Sequence, residues 1–178
     1  ADTLAYPVYG TMPADQLLVL ENGIYTLATA VAKVGETQYA TLADAIAAAA
    51  EGDTGKLIAS VEVTGAVKLD KSITLDLGAY NITRNGTKDT DAVISVTAGN
   101  VVITGTTGTV TAAPYAPAVW AKGGVLTIKG GNFVGGNHAV YALLNGSVII
   151  EGGKFQYTDK ACAGLVLNIY DGFRDTAS

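Results

Sequence analysis

A repeated segment in the second half of the chain constrains the fold more than any other feature. The segment AVWAKGGVLTIKGGNFVGG (118–136) is followed by the similar segment AVYALLNGSVIIEGGKFQYT (139–158). The repeated positions are a glycine pair and a phenylalanine, each displaced by 22 residues: Gly130–Gly131 with Gly152–Gly153 (131 + 22 = 153), and Phe133 with Phe155 (133 + 22 = 155). Short β-branched runs broken by glycine at a period near twenty residues are typical of a solenoid in which each repeat forms one coil.

Alternating polarity extends this pattern toward the N-terminus. In SITLDL (72–77), the residues Ile73, Leu75 and Leu77 fall on one face of a strand, and the polar Thr74 and Asp76 fall on the other. Successive coils starting at residues 92, 118, 139 and 163 are 26, 21 and 24 residues long, as expected where loops absorb insertions and strands keep their register. We therefore predict an all-β fold, a right-handed single-stranded parallel β-helix of about five coils.

The first third of the chain follows other patterns. Residues 1–30 form a separate N-terminal extended segment, in which Asn22-Gly23 between apolar runs predicts a hairpin over 17–27. Short strands are expected at 31–34 and 37–39.

A helix is predicted next, from Leu42 to Glu51, with Thr41 and Asp44 as a capping-box variant and Gly52 closing it. This helix would cover the open apolar end of a β-helix that spans 31–178. The last coil begins at Ala163 and the sequence stops at Ser178, so we expect either further sequence downstream or another chain over the C-terminal end.

The sequence resembles a known group of proteins. VAKVGETQYATLADAIAAAAEGDTGKL (31–57), SITLDLGAYNIT (72–83) and the GG(N/K)F coils resemble the right-handed parallel β-helix modules, pectin-lyase-like in fold, of large bacterial cell-surface proteins and some phage structural proteins. The resemblance implies an extracellular or cell-surface location and a role in adhesion, display on a stalk or contact with glycans. It supplies no catalytic motif.

Composition makes several partners unfavourable. The net charge is −5 and no basic run occurs, which disfavours nucleic acid and anionic membranes. The longest apolar stretch, the alanine run 45–50, is far shorter than the roughly 20 residues of a membrane span, so we expect no membrane insertion. One cysteine, Cys162, and one histidine, His138, provide neither a disulfide framework nor a zinc motif.

The best candidate for binding is an aromatic stripe. Trp120 in AVWA and Tyr141 in AVYA occupy equivalent positions, so they should stack one coil apart, about 4.8 Å in strand spacing. Lys122 has the same parity as Trp120 and should also point outward. Aromatic rings side by side on a surface bind sugars or protein partners. Alternatively, alignment of Ile94 and Leu165 with these rings would make the column part of the core or covered by a loop.

Other chemistry has weaker support. Asp89 and Asp91 lie with Arg84 and Lys88 on the polar loop RNGTKDTD (84–91), where a Ca²⁺ site is conceivable, although a solvated loop that simply protrudes fits the same residues. No other cofactor is indicated. Asp70 and Asp76 are the nearest approach to the carboxylates of a polysaccharide lyase, but both fit ordinary outward strand positions. His138 reads most simply as a turn residue.

Three functions therefore remain open. The chain is predicted to be a non-catalytic structural or adhesive module of a larger surface protein that contacts a glycan or a cell-surface protein. The first alternative is a fragment of a polysaccharide lyase or hydrolase. The second is a self-assembling fibre or phage structural protein that associates through its open C-terminal end.

Overall fold

The computed structural model describes residues 13–85, 91–143 and 145–158, and the backbone of one strand at 167–169. It contains one helix, α1 (Leu42–Ala48), and nineteen short strands within the described part of the chain. In chain order the strands are β1 (Gln16–Glu21), β2 (Ile24–Thr29), β3 (Ala32–Val34), β4 (Thr37–Tyr39), β5 (Thr54–Leu57), β6 (Val61–Glu62), β7 (Val67–Leu69), β8 (Thr74–Asp76), β9 (Ile82–Thr83), β10 (Ile94–Val96), β11 (Asn100–Thr104), β12 (Thr109–Thr111), β13 (Val119–Ala121), β14 (Gly124–Ile128), β15 (Asn132–Gly135), β16 (Val140–Ala142), β17 (Gly146–Ile150), β18 (Lys154–Tyr157) and β19 (Leu167–Ile169).

Three parallel sheets form the walls of a β-solenoid. Sheet 1 is ordered β17-β14-β11-β8-β5, sheet 2 is β18-β15-β12-β9-β6, and sheet 3 is β19-β16-β13-β10-β7. Each coil contributes one strand to each sheet, which confirms the predicted parallel β-helix and makes about four turns rather than about five coils. The last predicted coil, from Ala163, lies outside the described residues except for the backbone of β19. The right-handed sense stays a prediction, in line with the general preference of parallel crossovers.

The repeat places apolar side chains of successive coils on top of one another. In sheet 2, Val61, Ile82, Val110, Phe133 and Phe155 are successive register partners. The rings of Phe133 and Phe155 stack with centroids 5.3 Å apart and an interplanar angle of 11°. Phe133 is completely buried, so this inward column is part of the apolar core, whose removal from water is the main stabilising term.

Glycines at the corners of the coils allow close stacking. Gly124 begins β14 with a φ of +70°, and a Cβ atom there would lie 2.4 Å from the carbonyl oxygen of Gly99 in the preceding coil. Neither the backbone conformation nor the space admits a side chain. Glycine at this corner is therefore a requirement of the fold.

The N-terminal end is closed by local structure that the sequence largely predicts. The β1–β2 hairpin turns at Asn22 and Gly23, both with positive φ, and β3 pairs antiparallel with both β4 and β5. The Thr41 side chain accepts a hydrogen bond from the backbone N–H of Asp44 at 3.1 Å and donates one to its carboxylate at 2.6 Å, which confirms the cap.

One local prediction about this end of the chain was wrong. Helix α1 ends at Ala48 rather than Glu51, because Ala49 is already extended and Gly52 lies in the turn that follows. The Lys71 ammonium donates to the carbonyl oxygens of Ala47 and Ala49, at 3.1 and 2.6 Å, and so satisfies this end of the helix.

The loop predicted over 84–91 is described only at its two ends, because residues 86–90 lie outside the described part of the chain. Arg84 is only 7% exposed, and its guanidinium donates to the carbonyl oxygens of Asp91 and Ala92, each at 2.9 Å. The arginine thereby ties the two ends of the loop together.

Candidate binding surface

The predicted aromatic stripe lies on the outer face of sheet 3. Trp120 on β13 and Tyr141 on β16 are direct register partners, and their ring centroids are 5.2 Å apart with a tilt of 45°. Their strand neighbours Val119 and Ala121 are buried, whereas both aromatic rings are half-buried. The alternation of the strand therefore turns the rings away from the core, as the sequence predicts.

The alignment that argued for a core column was wrong by one or more residues. Ile94 pairs with Val119, and the residue beside Trp120 is Ser95. On the other side, Tyr141 pairs with Asn168, while Leu165 lies outside the described residues. Trp120 and Tyr141 therefore lie on the outer face of sheet 3, beside Ser95, which is itself buried.

Lys122 lies on the same face, as its parity predicts. Its ammonium nitrogen lies 4.1 Å from the centroid of the Trp120 ring, a cation–π distance, and 3.2 Å from Oδ1 of Asp91. The Lys122 side chain is 33% exposed and that of Asp91 is 45% exposed. The ion pair therefore lies at the edge of the aromatic rings and is open to solvent.

His138 extends the aromatic surface in a way that the sequence analysis missed. Its ring stacks on Tyr141 with a centroid distance of 5.3 Å and an angle of 28°. The residue lies in the short connection between β15 and β16, as predicted, and its ring contacts the strand that follows. Its position three residues before Tyr141 was the available signal, although a sequence alone does not say which way such a turn bends.

We call these five residues, Asp91, Trp120, Lys122, His138 and Tyr141, the sheet 3 patch. Two buried polar atoms at or beside it have no hydrogen-bond partner: Nε1 of Trp120, a donor, and Oδ1 of Asn137, an acceptor. An unpaired buried polar atom costs about 1–3 kcal/mol.

Of the two candidate calcium ligands, Asp89 and Asp91, the structure describes only Asp91. Asp89 lies outside the described residues, and Asp91 is engaged with Lys122 and with the backbone N–H of Ala92 at 3.1 Å. Across the described residues there is no group of three or more His, Cys, Asp or Glu side chains placed to hold a metal ion.

The other carboxylates are spread over different faces. Asp76 faces Lys56 at 3.7 Å and Glu151 faces Lys129 at 3.8 Å, both on the outer side of sheet 1. Asp70 follows β7 on sheet 3 and is exposed. Each of the two paired carboxylates thus meets a single lysine.

An open groove of about 510 Å³ lies at the N-terminal end, between α1 and the turn from β6 to β7. Its walls are mainly aliphatic, including Leu42, Val61, Val63 and Val67, with the carboxylate-bearing Glu62 among them. No aromatic ring lines it, so it differs in chemistry from the sheet 3 patch.

Within the described residues, no helix is long and apolar enough to cross a membrane. Comparison with protein families, with curated proteins and with solved structures gives no match for this chain.

Proposed function

We propose that this chain is a non-catalytic, extracellular module of a larger surface protein, in which the β-solenoid displays the sheet 3 patch to bind a glycan. The module would thereby act in adhesion. Its support in the sequence is the resemblance, on the residues quoted above, to the pectin-lyase-like β-helix modules of bacterial cell-surface and phage structural proteins.

The observation that carries the proposal is the row of three rings, Trp120, Tyr141 and His138, with centroid separations of 5.2 and 5.3 Å. Trp120 and Tyr141 point outward from adjacent coils, so they extend along the solenoid axis. The apolar faces of sugar rings pack on such aromatic rings. Sugar hydroxyls are both donors and acceptors, and the partly exposed polar groups of Lys122 and Asp91 lie beside the rings.

A rigid scaffold favours this role. The two strands that carry Trp120 and Tyr141 are held in register by parallel pairing, with β10 and β19 on either side. A preorganised surface loses little conformational entropy on binding. Stacked coils therefore suit a module that must present a fixed row of rings at a distance from its anchor.

The test is retention on a glycan array and in affinity electrophoresis. Wild-type protein should be retained by at least one glycan, and Trp120→Ala should weaken that retention at least tenfold. Trp120→Phe keeps a ring and should bind with intermediate strength. Tyr80→Ala removes an aromatic residue that is 39% exposed on a different corner, and it should bind as wild type does.

Circular dichroism must show that each variant is folded. Absence of retention on every glycan, or equal retention of Trp120→Ala and wild type, would contradict the proposal. Retention of a cell-surface protein instead, lost in the same variant, would replace the glycan with a protein partner.

Self-association is a second candidate function, and one observation favours it. The β1–β2 hairpin exposes several apolar side chains, with Leu20, Ile24 and Leu27 at 45%, 66% and 62% exposure. An isolated two-stranded hairpin is marginally stable in water, so a second copy packed on this face would stabilise it. Light scattering should then show multimers that Leu27→Lys dissociates, whereas a monomer at all concentrations would argue against a fibre.

A further inference from the structure

We infer that the Asp91–Lys122 ion pair makes the sheet 3 patch select uncharged glycans over glycans that carry carboxylate or sulfate groups. This inference rests on the proposed function and names the class of ligand. It assigns Asp91 the role of a specificity-determining residue.

The ammonium group nearest the rings is already paired with a carboxylate. Lys122 Nζ is 3.2 Å from Asp91 and 4.1 Å from the Trp120 ring centroid. An anionic sugar that sought this ammonium would have to compete with the carboxylate of Asp91. The negative charge of Asp91 would also repel the acidic group of such a sugar, and repulsion of this kind is a common basis of specificity.

Positive and negative side chains are balanced on this face of sheet 3. On β7, at the N-terminal end of the same sheet, Lys68 pairs in register with Ser95, and the exposed Asp70 follows two residues later. Among the described residues, this face of sheet 3 therefore carries two lysines, Lys68 and Lys122, and two aspartates, Asp70 and Asp91. Arg84 lies seven residues before Asp91, but it is buried and donates to backbone carbonyls, so it presents no exposed charge on this face.

The charge of the whole chain also disfavours anionic ligands. A net charge of −5 gives a polyanion no long-range attraction, while an uncharged polymer is indifferent to it. The contacts that remain are ring stacking and hydrogen bonding, and neither requires a charged sugar.

The experiment uses a neutral glycan that wild-type protein retains on the array and the same glycan oxidised at C6 to the uronate. Binding is measured in 0.05 and 0.5 M NaCl. Wild type should prefer the neutral form, and its affinity for that form should change little with salt.

The decisive variant is Asp91→Asn, which removes the charge and keeps an oxygen that can accept from the Ala92 N–H. It should bind the oxidised glycan about two- to fivefold more tightly than wild type does, the range expected from one solvent-exposed ion pair. The gain should vanish in 0.5 M NaCl. Binding to the neutral form should stay within about twofold.

Asp76→Asn is the matched control, because it makes the same change in net charge on sheet 1. Asp76 also faces one lysine, Lys56 at 3.7 Å, and its Oδ1 accepts from the Gly78 N–H at 2.8 Å. This variant should leave the preference of the protein unchanged.

The outcomes separate the inference from the proposed function. If wild type prefers the oxidised glycan, or if Asp91→Asn gains no more than Asp76→Asn, the inference is wrong and the glycan-binding function stands. If wild type is retained by neither form and by no other glycan, the proposed function itself fails.

Discussion

Truncation of Phe133 to alanine should be among the most destabilising single changes in this protein. The ring is completely buried in the sheet 2 column, between Val110 in one neighbouring coil and Phe155 in the next. Such truncations in protein cores cost about 3–5 kcal/mol, the sum of lost burial and the cavity that remains. The stacked contact with Phe155, at 5.3 Å, contributes about 0.5–1.5 kcal/mol of this loss.

A cost of this size is a large fraction of the 5–15 kcal/mol that usually separates folded and unfolded states. Urea denaturation, followed by circular dichroism and by the fluorescence of the single tryptophan, Trp120, measures it. Phe155→Ala should cost about half as much, because that ring is only half-buried. The double variant should be less destabilised than the sum of the two, by roughly the stacking energy.

Gln156 provides the control for this series. It follows Phe155 on β18, points outward and is exposed, so Gln156→Ala should change stability by less than about 0.5 kcal/mol. If Phe133→Ala cost no more than Gln156→Ala, or if the two phenylalanine variants were strictly additive, the inward stacking of the repeat would be refuted.

Three further stability predictions follow from local geometry, each measured by the same denaturation experiment. Gly124→Ala should cost about 2 kcal/mol or more, because φ is +70° and the new Cβ meets the Gly99 carbonyl, whereas Gly65→Ala has open space and should be close to neutral. Thr41→Ala should cost about 1 kcal/mol by removing the helix cap, and Thr41→Ser should restore most of it. Lys71→Met should cost about 1–3 kcal/mol through its two hydrogen bonds to helix carbonyls, and a loss below 0.3 kcal/mol would show that water replaces them.

Much of the fold was predictable because the repeat carries its own register. The glycine pairs and the two phenylalanines fix which residues lie on top of one another, and a strand period of two then decides which side chains face inward. The hairpin at Asn22-Gly23 and the cap at Thr41 depend on short-range chemistry, which a sequence displays directly.

The parts that were missed depend on contacts between coils. The loop that begins at Arg84 has no repeat of its own, so the sequence does not show at which residue the next strand resumes the register. Ile94 was therefore aligned with Trp120, whereas the true register partner of Trp120 is Ser95. Counting back four residues from the corner glycines Gly99 and Gly124 gives the observed pairing, because both begin or precede sheet 1 strands at the same corner.

The sheet 3 patch was predicted only in part for the same reason. Trp120, Tyr141 and Lys122 follow from strand parity. The contacts of His138 with Tyr141 and of Asp91 with Lys122 join residues through turns whose direction is not encoded by periodicity. Arg84 was missed because a charged side chain in a polar loop gives no sign that backbone carbonyls will enclose it.

The central claim, that repeats 22 residues apart lie directly on one another, is tested most directly by NMR on protein labelled only at phenylalanine. The chain has three phenylalanines, Phe133, Phe155 and Phe173, so the aromatic spectrum is simple and can be assigned by substitution. A strong cross-relaxation peak between the rings of Phe133 and Phe155 is expected from their separation of 5.3 Å. Its absence in the folded protein would contradict the stacked solenoid and the binding surface built on it.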